Sequence, residues 1–202
     1  MEPKTLHFIT NGKLPNSELI QLIKKIHHEV DYIHLREKQR TALELIQIIE
    51  GLEEAGVPTA KLIINDRADV AYVKQCAGVQ LAYHSPPASL LAQHFPALLI
   101  GKSVHSLEEA TFAEKEGADF VLFGHIFSTQ SKGDQSPRGS HALEKIAKNL
   151  SIPVVAIGGV SAANTQEVLD SGAKGIAVMS GIADAEDPQM SAKAYSSALN
   201  ER

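Results

Sequence analysis

The sequence predicts a closed (β/α)8 barrel, the TIM-barrel architecture, in a single domain spanning residues 1–202. Three observations predict it. Short apolar runs alternate with amphipathic stretches eight times, at a spacing of about 20–30 residues, which argues for parallel strands joined by helical crossovers. The apolar runs are nearly continuous, as strands are when both faces of a parallel sheet are covered. The length, 202 residues, suits one domain and is short for this barrel, so the loops must be lean.

The first strand is expected at residues 6–10. A helix follows from Ser17, with Leu19, Ile20, Leu22, Ile23 and Ile26 on one face. Residues 32–37 make the second strand and 42–54 its helix. The third pair is 61–66 and 68–75, and the fourth is 78–82 with a weaker helix at 89–94. The fifth strand covers 98–104, and Ser106 caps a helix to Glu116, with Glu109 three residues on to complete a capping box. The sixth strand covers 120–127 and its helix 141–150. The seventh covers 154–160, followed by a helix at 162–171 opened by Ser161. The eighth covers 175–182, and the last helix starts near Pro188. The one long irregular stretch is 128–139, rich in Ser, Gly, Lys and Gln, and a loop of that length in a lean barrel is expected to be a lid or a binding loop.

Composition removes several function classes. Hydrophobic residues are 44% and charged residues 21%, an ordinary globular balance, and with no Trp the core is aliphatic. A net charge of −5 opposes nucleic-acid binding, which needs clustered cations. No apolar run approaches the ~18–20 residues of a membrane span, and the N-terminus lacks a basic-then-apolar signal. Cys76, the lone cysteine, allows no internal disulfide and suits a reducing compartment. A cytoplasmic protein with no nucleic-acid or membrane partner is expected. The oligomeric state stays open, a homodimer paired through outer helices among the options.

Barrel enzymes carry their sites at the C-terminal ends of the strands. There, Gly158-Gly159 after strand seven and Met179-Ser180-Gly181 after strand eight are expected to cup a phosphate with backbone N–H groups. The alternative is that these glycines only make tight turns. On strand two, alternation puts His34, Arg36 and Lys38 on one face, directed into the barrel mouth. Arg36 and Lys38 suit a carboxylate or phosphate, and the plainer reading is a buried ion pair with Asp66 or another strand-end acid. One carboxylate does not make a metal site, because a divalent cation bound by oxygen wants more than Asp66 alone. No metal or other cofactor is therefore expected. His125 sits at the end of strand six beside Thr129, Ser131 and Lys132, where an imidazole can take and return a proton near neutral pH. The plainer reading is a core histidine bonded to one carbonyl. Ser103 and His105 end strand five beside the same spot, His105 as a capping or packing residue. His27, His28, His94 and His141 are expected on helix surfaces. Cys76 is expected on a helix away from the strand ends, and no nucleophilic triad stands out.

Taken together, these strand-end motifs resemble the thiamin phosphate synthase superfamily along nearly the whole chain. The matching pieces are His34-Leu35-Arg36-Glu37-Lys38, Asn65-Asp66-Arg67, Gly101-Lys102-Ser103-Val104-His105, the loop from Thr129, Ala156-Ile157-Gly158-Gly159 and Val178-Met179-Ser180. The resemblance implies a synthase that holds Mg2+ between acids after strands three and four. Here the second acid is Ser85, the glutamine before it is Tyr83, the strand-two glutamine is His34, and the synthase's Gly-Pro after strand six is Gly124-His125. Those departures are similar to the thiazole tautomerases (TenI type) of the same superfamily. That likeness implies an isomerase that aromatises a phosphorylated carboxythiazole, with His125 as base and then acid. Gly159, Met179 and Ser180 would hold the phosphate. Thr129, Ser131, Lys132, Arg36 and Ser103 would hold the ring and its carboxylate, with Lys38 in the same binding set. The alternatives are an active synthase and a non-catalytic regulatory or ligand-binding protein of the same fold.

Overall fold

Residues 4–129 and 136–200 are described by a computed structural model, in which eight parallel strands hydrogen-bond in chain order. They are β1 (Thr5–Ile9), β2 (Tyr32–Leu35), β3 (Leu62–Asn65), β4 (Gly78–Leu81), β5 (Leu99–Val104), β6 (Phe120–Gly124), β7 (Val154–Ile157) and β8 (Gly175–Val178). β8 pairs back onto β1, with Val178 beside Phe8, so the barrel closes and no strand edge remains. The helices α1 (Asn16–Ile26), α2 (Ala42–Glu54), α3 (Ala68–Val73), α4 (Ala88–His94), α5 (Leu107–Lys115), α6 (Gly139–Asn149) and α7 (Thr165–Asp170) each follow one strand. Both α8 (Ser180–Ala183) and α9 (Pro188–Asn200) follow β8.

Alternation along the strands divides the core in two. Outward residues such as Leu6, Phe8, Ile33, Leu35, Ile64 and Val121 join the helix faces in one continuous apolar shell. Inward residues form a smaller plug of Ile9, Ile63, Phe120, Leu122, Val155 and Ala177. The inner positions that remain are polar, and they set the floor of the site.

The expected elements are present, with four strands shorter by two or more residues at their C-terminal ends. β2 stops at Leu35, β6 at Gly124, β7 at Ile157 and β8 at Val178. Ile126, Val160 and Ile182 prolonged the apolar runs because they are buried beneath the helices, not because they belong to the ladder. The stretch 162–171 is a 3-10 turn, Ala162–Asn164, followed by α7. Ser106 caps α5 by accepting from the Glu109 N–H at 3.1 Å, but the Glu109 carboxylate accepts from the His105 N–H instead of closing the box. A reciprocal box occurs at Thr41 and Glu44, opening α2. His27 is buried at the end of α1, contrary to its expected surface place, because the chain turns inward there toward β2; His28, His94 and His141 are exposed. Cys76 lies beyond α3 in the turn before β4, where burial pushes its thiol up to about 12 and leaves it unreactive.

Ile48, on the inner face of α2, is fully buried in the outer shell. Ile48→Ala is expected to lower the unfolding free energy by about 2–5 kcal/mol in urea titrations. A loss below about 1 kcal/mol would contradict this packing.

Candidate active site

A cavity of about 430 Å³ opens at the C-terminal mouth of the barrel, within the range of small-ligand sites. It gathers the expected residues Arg36, Lys38, Ser103, His125, Thr129, Gly159, Met179 and Ser180. Ser131 and Lys132 lie outside the described residues. Arg36 is carried into the mouth by β2, and the buried Thr10 hydroxyl accepts from its backbone N–H at 2.9 Å. Among the described residues no carboxylate lies within ion-pair distance of Arg36 or Lys38. The ion pair of Arg36 with Asp66 does not form.

His125 is buried in the pocket wall where β6 ends, after a cis Gly124–His125 peptide. The segment beyond it is pinned on both sides. Ile126 N–H donates to the Ile157 carbonyl and Phe127 N–H to the Gly158 carbonyl, each at 3.0 Å. From the other end of the loop, Arg138 N–H donates to the His125 carbonyl at 2.9 Å, and Arg138 Nε donates to the Gly124 carbonyl at 3.1 Å. His105 Nδ1 pairs with that same carbonyl at 3.1 Å, which confirms its packing role, while its ring also borders the cavity.

Opposite His125 stand the two glycine loops. Gly158 and Gly159 have φ of +94° and +69°, the left-handed region where side chains are strained. A Cβ on Gly158 would meet the His125 Cβ at 2.3 Å, and one on Gly159 would meet the Phe127 carbonyl at 2.7 Å. Here the glycines do more than turn the chain: they let the β7 loop lie directly on the His125 segment. Asn164 Nδ2 supports this loop by donating to the Gly159 carbonyl at 3.0 Å. After β8, Met179 and Ser180 open the short helix α8, the position where barrels commonly hold phosphate. Tyr195 of α9 ties the two loops together. Its hydroxyl donates to the Val160 carbonyl at 3.2 Å and fills the space that a Gly181 Cβ would need. Sequence reasoning passed over Asn164 and Tyr195, whose roles depend on contacts distant in the chain.

Of the floor it placed only His34 on the inward face and passed over His7 and Gln80. His7 and His34 are buried inside the barrel and joined by a hydrogen bond from ring to ring, Nδ1 to Nε2, at 2.9 Å. Thr5 Oγ1 lies 3.0 Å from His7 Nε2. Burial drives both imidazoles toward the neutral form, His7 down to about 3, and for His34 the neighbouring His7 adds to the effect. Gln80 Nε2 donates to Ser103 Oγ at 3.1 Å. The available signal was the inward parity of His7, two residues ahead of Ile9 on the same strand face.

Asp66, at φ +62°, ends β3 on the far side of the mouth. Its carboxylate accepts from the Ser85 hydroxyl and from Asn65 Nδ2, and His84 Nε2 lies 3.1 Å away. Lys102 Nζ, held to the Ala82 carbonyl at 2.6 Å, adds a cation close by.

The profile of one known family, described as thiamine monophosphate synthase, matches residues 6–182. The chain belongs to the thiamine monophosphate synthase family. A thiamine-phosphate synthase of Chlorobium luteolum is 40% identical over 174 residues, covering 83% of this chain and 81% of that protein. The thiamine-phosphate synthase of Pyrococcus furiosus is 38% identical over 183 residues, covering 90% and 88%. A solved thiamine phosphate pyrophosphorylase from the same organism superposes with a TM-score of 0.82 at 33% identity, over 97% and 95% of the two chains. A synthase of this family would place Mg2+ at Asp66. The described residues do not fit that ion: the one carboxylate that lines the cavity among them is already engaged by a hydroxyl, an amide and an imidazole, with an ammonium group beside it. Mg2+ needs near-octahedral oxygen donors, and the second acid is Ser85.

Two expectations follow from this geometry. Gly158→Ala should lower stability by at least about 1–2 kcal/mol in thermal denaturation, from the left-handed conformation alone, and should displace His125. Below about pH 6.5 the unfolded chain protonates both His7 and His34 while the folded barrel resists, so stability is complete above that value and declines toward His7's lowered value near 3. Unfolding midpoints should fall between about pH 7.5 and pH 5, and a His7→Gln/His34→Gln double variant should lose most of that slope. An unchanged slope would contradict the buried neutral pair.

Proposed function

We propose that the protein is an enzyme of thiamin biosynthesis, a thiazole tautomerase that aromatises a phosphorylated carboxythiazole by moving one proton. The observation that carries this reading is His125, a buried imidazole packed against the Gly158–Gly159 turn in the wall of a pocket that also holds Ser180 and Arg36. In the proposed reaction His125 removes the proton from ring carbon C2. The electron pair moves through the ring to the exocyclic carbon on C5, and His125 returns the proton there. No electron is gained or lost, and one base that gives its proton back is sufficient. Gly159, Met179 and Ser180 hold the phosphate. Arg36, with Lys38 at the rim, Thr129 and the loop residues Ser131 and Lys132, steadies the ring and its carboxylate, and a cation there stabilises charge as C2 loses its proton.

The relatives, which are thiamine-phosphate synthases, favour a second reading, a synthase that couples two phosphate substrates. The altered donor set around Asp66 counts against it. A coupled assay on the product of thiazole synthase separates the two. Wild type is expected to form the aromatic thiazole without Mg2+, and His125→Asn to be about 10²–10⁴-fold slower. Mg2+-dependent coupling of a pyrimidine diphosphate to the thiazole phosphate, with no metal-free aromatisation, would establish the synthase instead. A fully active His125→Asn protein would remove the proposed base.

A further inference from the structure

Arg138 stands at the N-cap of α6, where its side chain makes no capping bond. A short oxygen-bearing side chain is usual there, and a cation opposes the positive end of the helix dipole. Nor does an ion pair account for it, since among the described residues no carboxylate lies within ion-pair distance of Arg138. Its bonds go to the His125 segment instead. The Nε–H donates to the Gly124 carbonyl at 3.1 Å, and the backbone N–H donates to the His125 carbonyl at 2.9 Å. One residue therefore grips the peptide groups on both sides of the His125 Cα, and those groups set the direction in which the imidazole leaves the chain.

His105 completes the grip from the end of β5. Its Nδ1 lies 3.1 Å from the same Gly124 oxygen, and a carbonyl only accepts, so Nδ1 carries the proton. His105 is itself held, because its backbone N–H donates to the Glu109 carboxylate at 2.7 Å. Both lone pairs of the Gly124 oxygen are then occupied, one by a donor from β5 and one by a donor from the start of α6. Neither donor belongs to the β7 loop, so this hold is separate from the packing of Gly158 on His125.

Resting on the reading of His125 as the proton carrier, we propose that Arg138 and His105 are positioning residues that aim its imidazole at the substrate. They act through the Gly124 carbonyl and need no contact with the substrate. A base that moves a proton between carbons must be held closely, and a displacement of about 1 Å can cost about 10²-fold in rate. Because the two donors share one acceptor, either alone retains part of the hold. Losing both costs more than the product of the single losses.

Side-chain reach provides the test. Gln places an amide N–H where Arg138 carries Nε, and Met ends at the same reach with no donor. Asn likewise keeps a donor at the place of His105 Nδ1, and Leu removes it. In the coupled assay Arg138→Met and His105→Leu are each expected to lower kcat about fivefold, and the double variant about 10²-fold. Arg138→Gln and His105→Asn should stay within about twofold of wild type, and affinity for the aromatic thiazole phosphate should change by less than about twofold throughout. The His125 ring resonance, assigned with His125→Asn, reads the same hold without turnover: a single sharp signal in wild type, broadened or split in Arg138→Met. If Arg138→Met does not fold, the comparison of His105→Leu with His105→Asn takes its place. An Arg138→Gln protein as slow as Arg138→Met, losses in ligand affinity instead of kcat, or a His125 signal unchanged by both removals overturns the proposal. A wild type that forms no aromatic thiazole removes the tautomerase reading, and the His125 resonance then decides the hold by itself. Turnover with an unchanged kcat in the double variant keeps that reading and removes the positioning role.

Discussion

The site depends on one close approach, the β7 loop lying on the segment that follows β6. Gly158 and Gly159 take a backbone conformation that side chains avoid, at positions where a Cβ would collide with His125 or with the Phe127 carbonyl. Two ladder-like hydrogen bonds then hold the His125 segment to the same loop. His125 and the β7 glycine loop are therefore parts of one packed unit. A group that acts on a bound molecule must hold a fixed position relative to it, and this contact contributes to that fixity.

The floor of the pocket carries a different cost. The polar floor costs more than an apolar plug would, since His34 Nδ1 and Gln80 Oε1 are buried with no hydrogen-bond partner among the described residues. The barrel tolerates them because its outer apolar shell is continuous. The acid sensitivity expected of the histidine pair is a consequence of the same burial. On the opposite rim, Ser85 and His84 engage the carboxylate of Asp66, with Lys102 close by, so the group that would attract a divalent cation already has partners.

The periodicity of the chain determined the barrel, the order of its eight units and the location of the site at the strand ends, because parallel strands buried on both faces leave an unbroken apolar signature and helices an amphipathic one. It also placed Arg36, Ser103, His125, Gly159 and Ser180, since polar residues that interrupt an apolar strand end have few structural reasons to be there. Where strands stop was not legible. Ile126, Val160 and Ile182 look the same whether burial comes from the ladder or from a helix above it. Only the tertiary structure decided the His7–His34 pair, the Tyr195 tie and the close approach of Gly158 to His125. Each joins residues at least 27 positions apart, as with His7 and His34, and such contacts come from barrel closure, which no local pattern in the chain records.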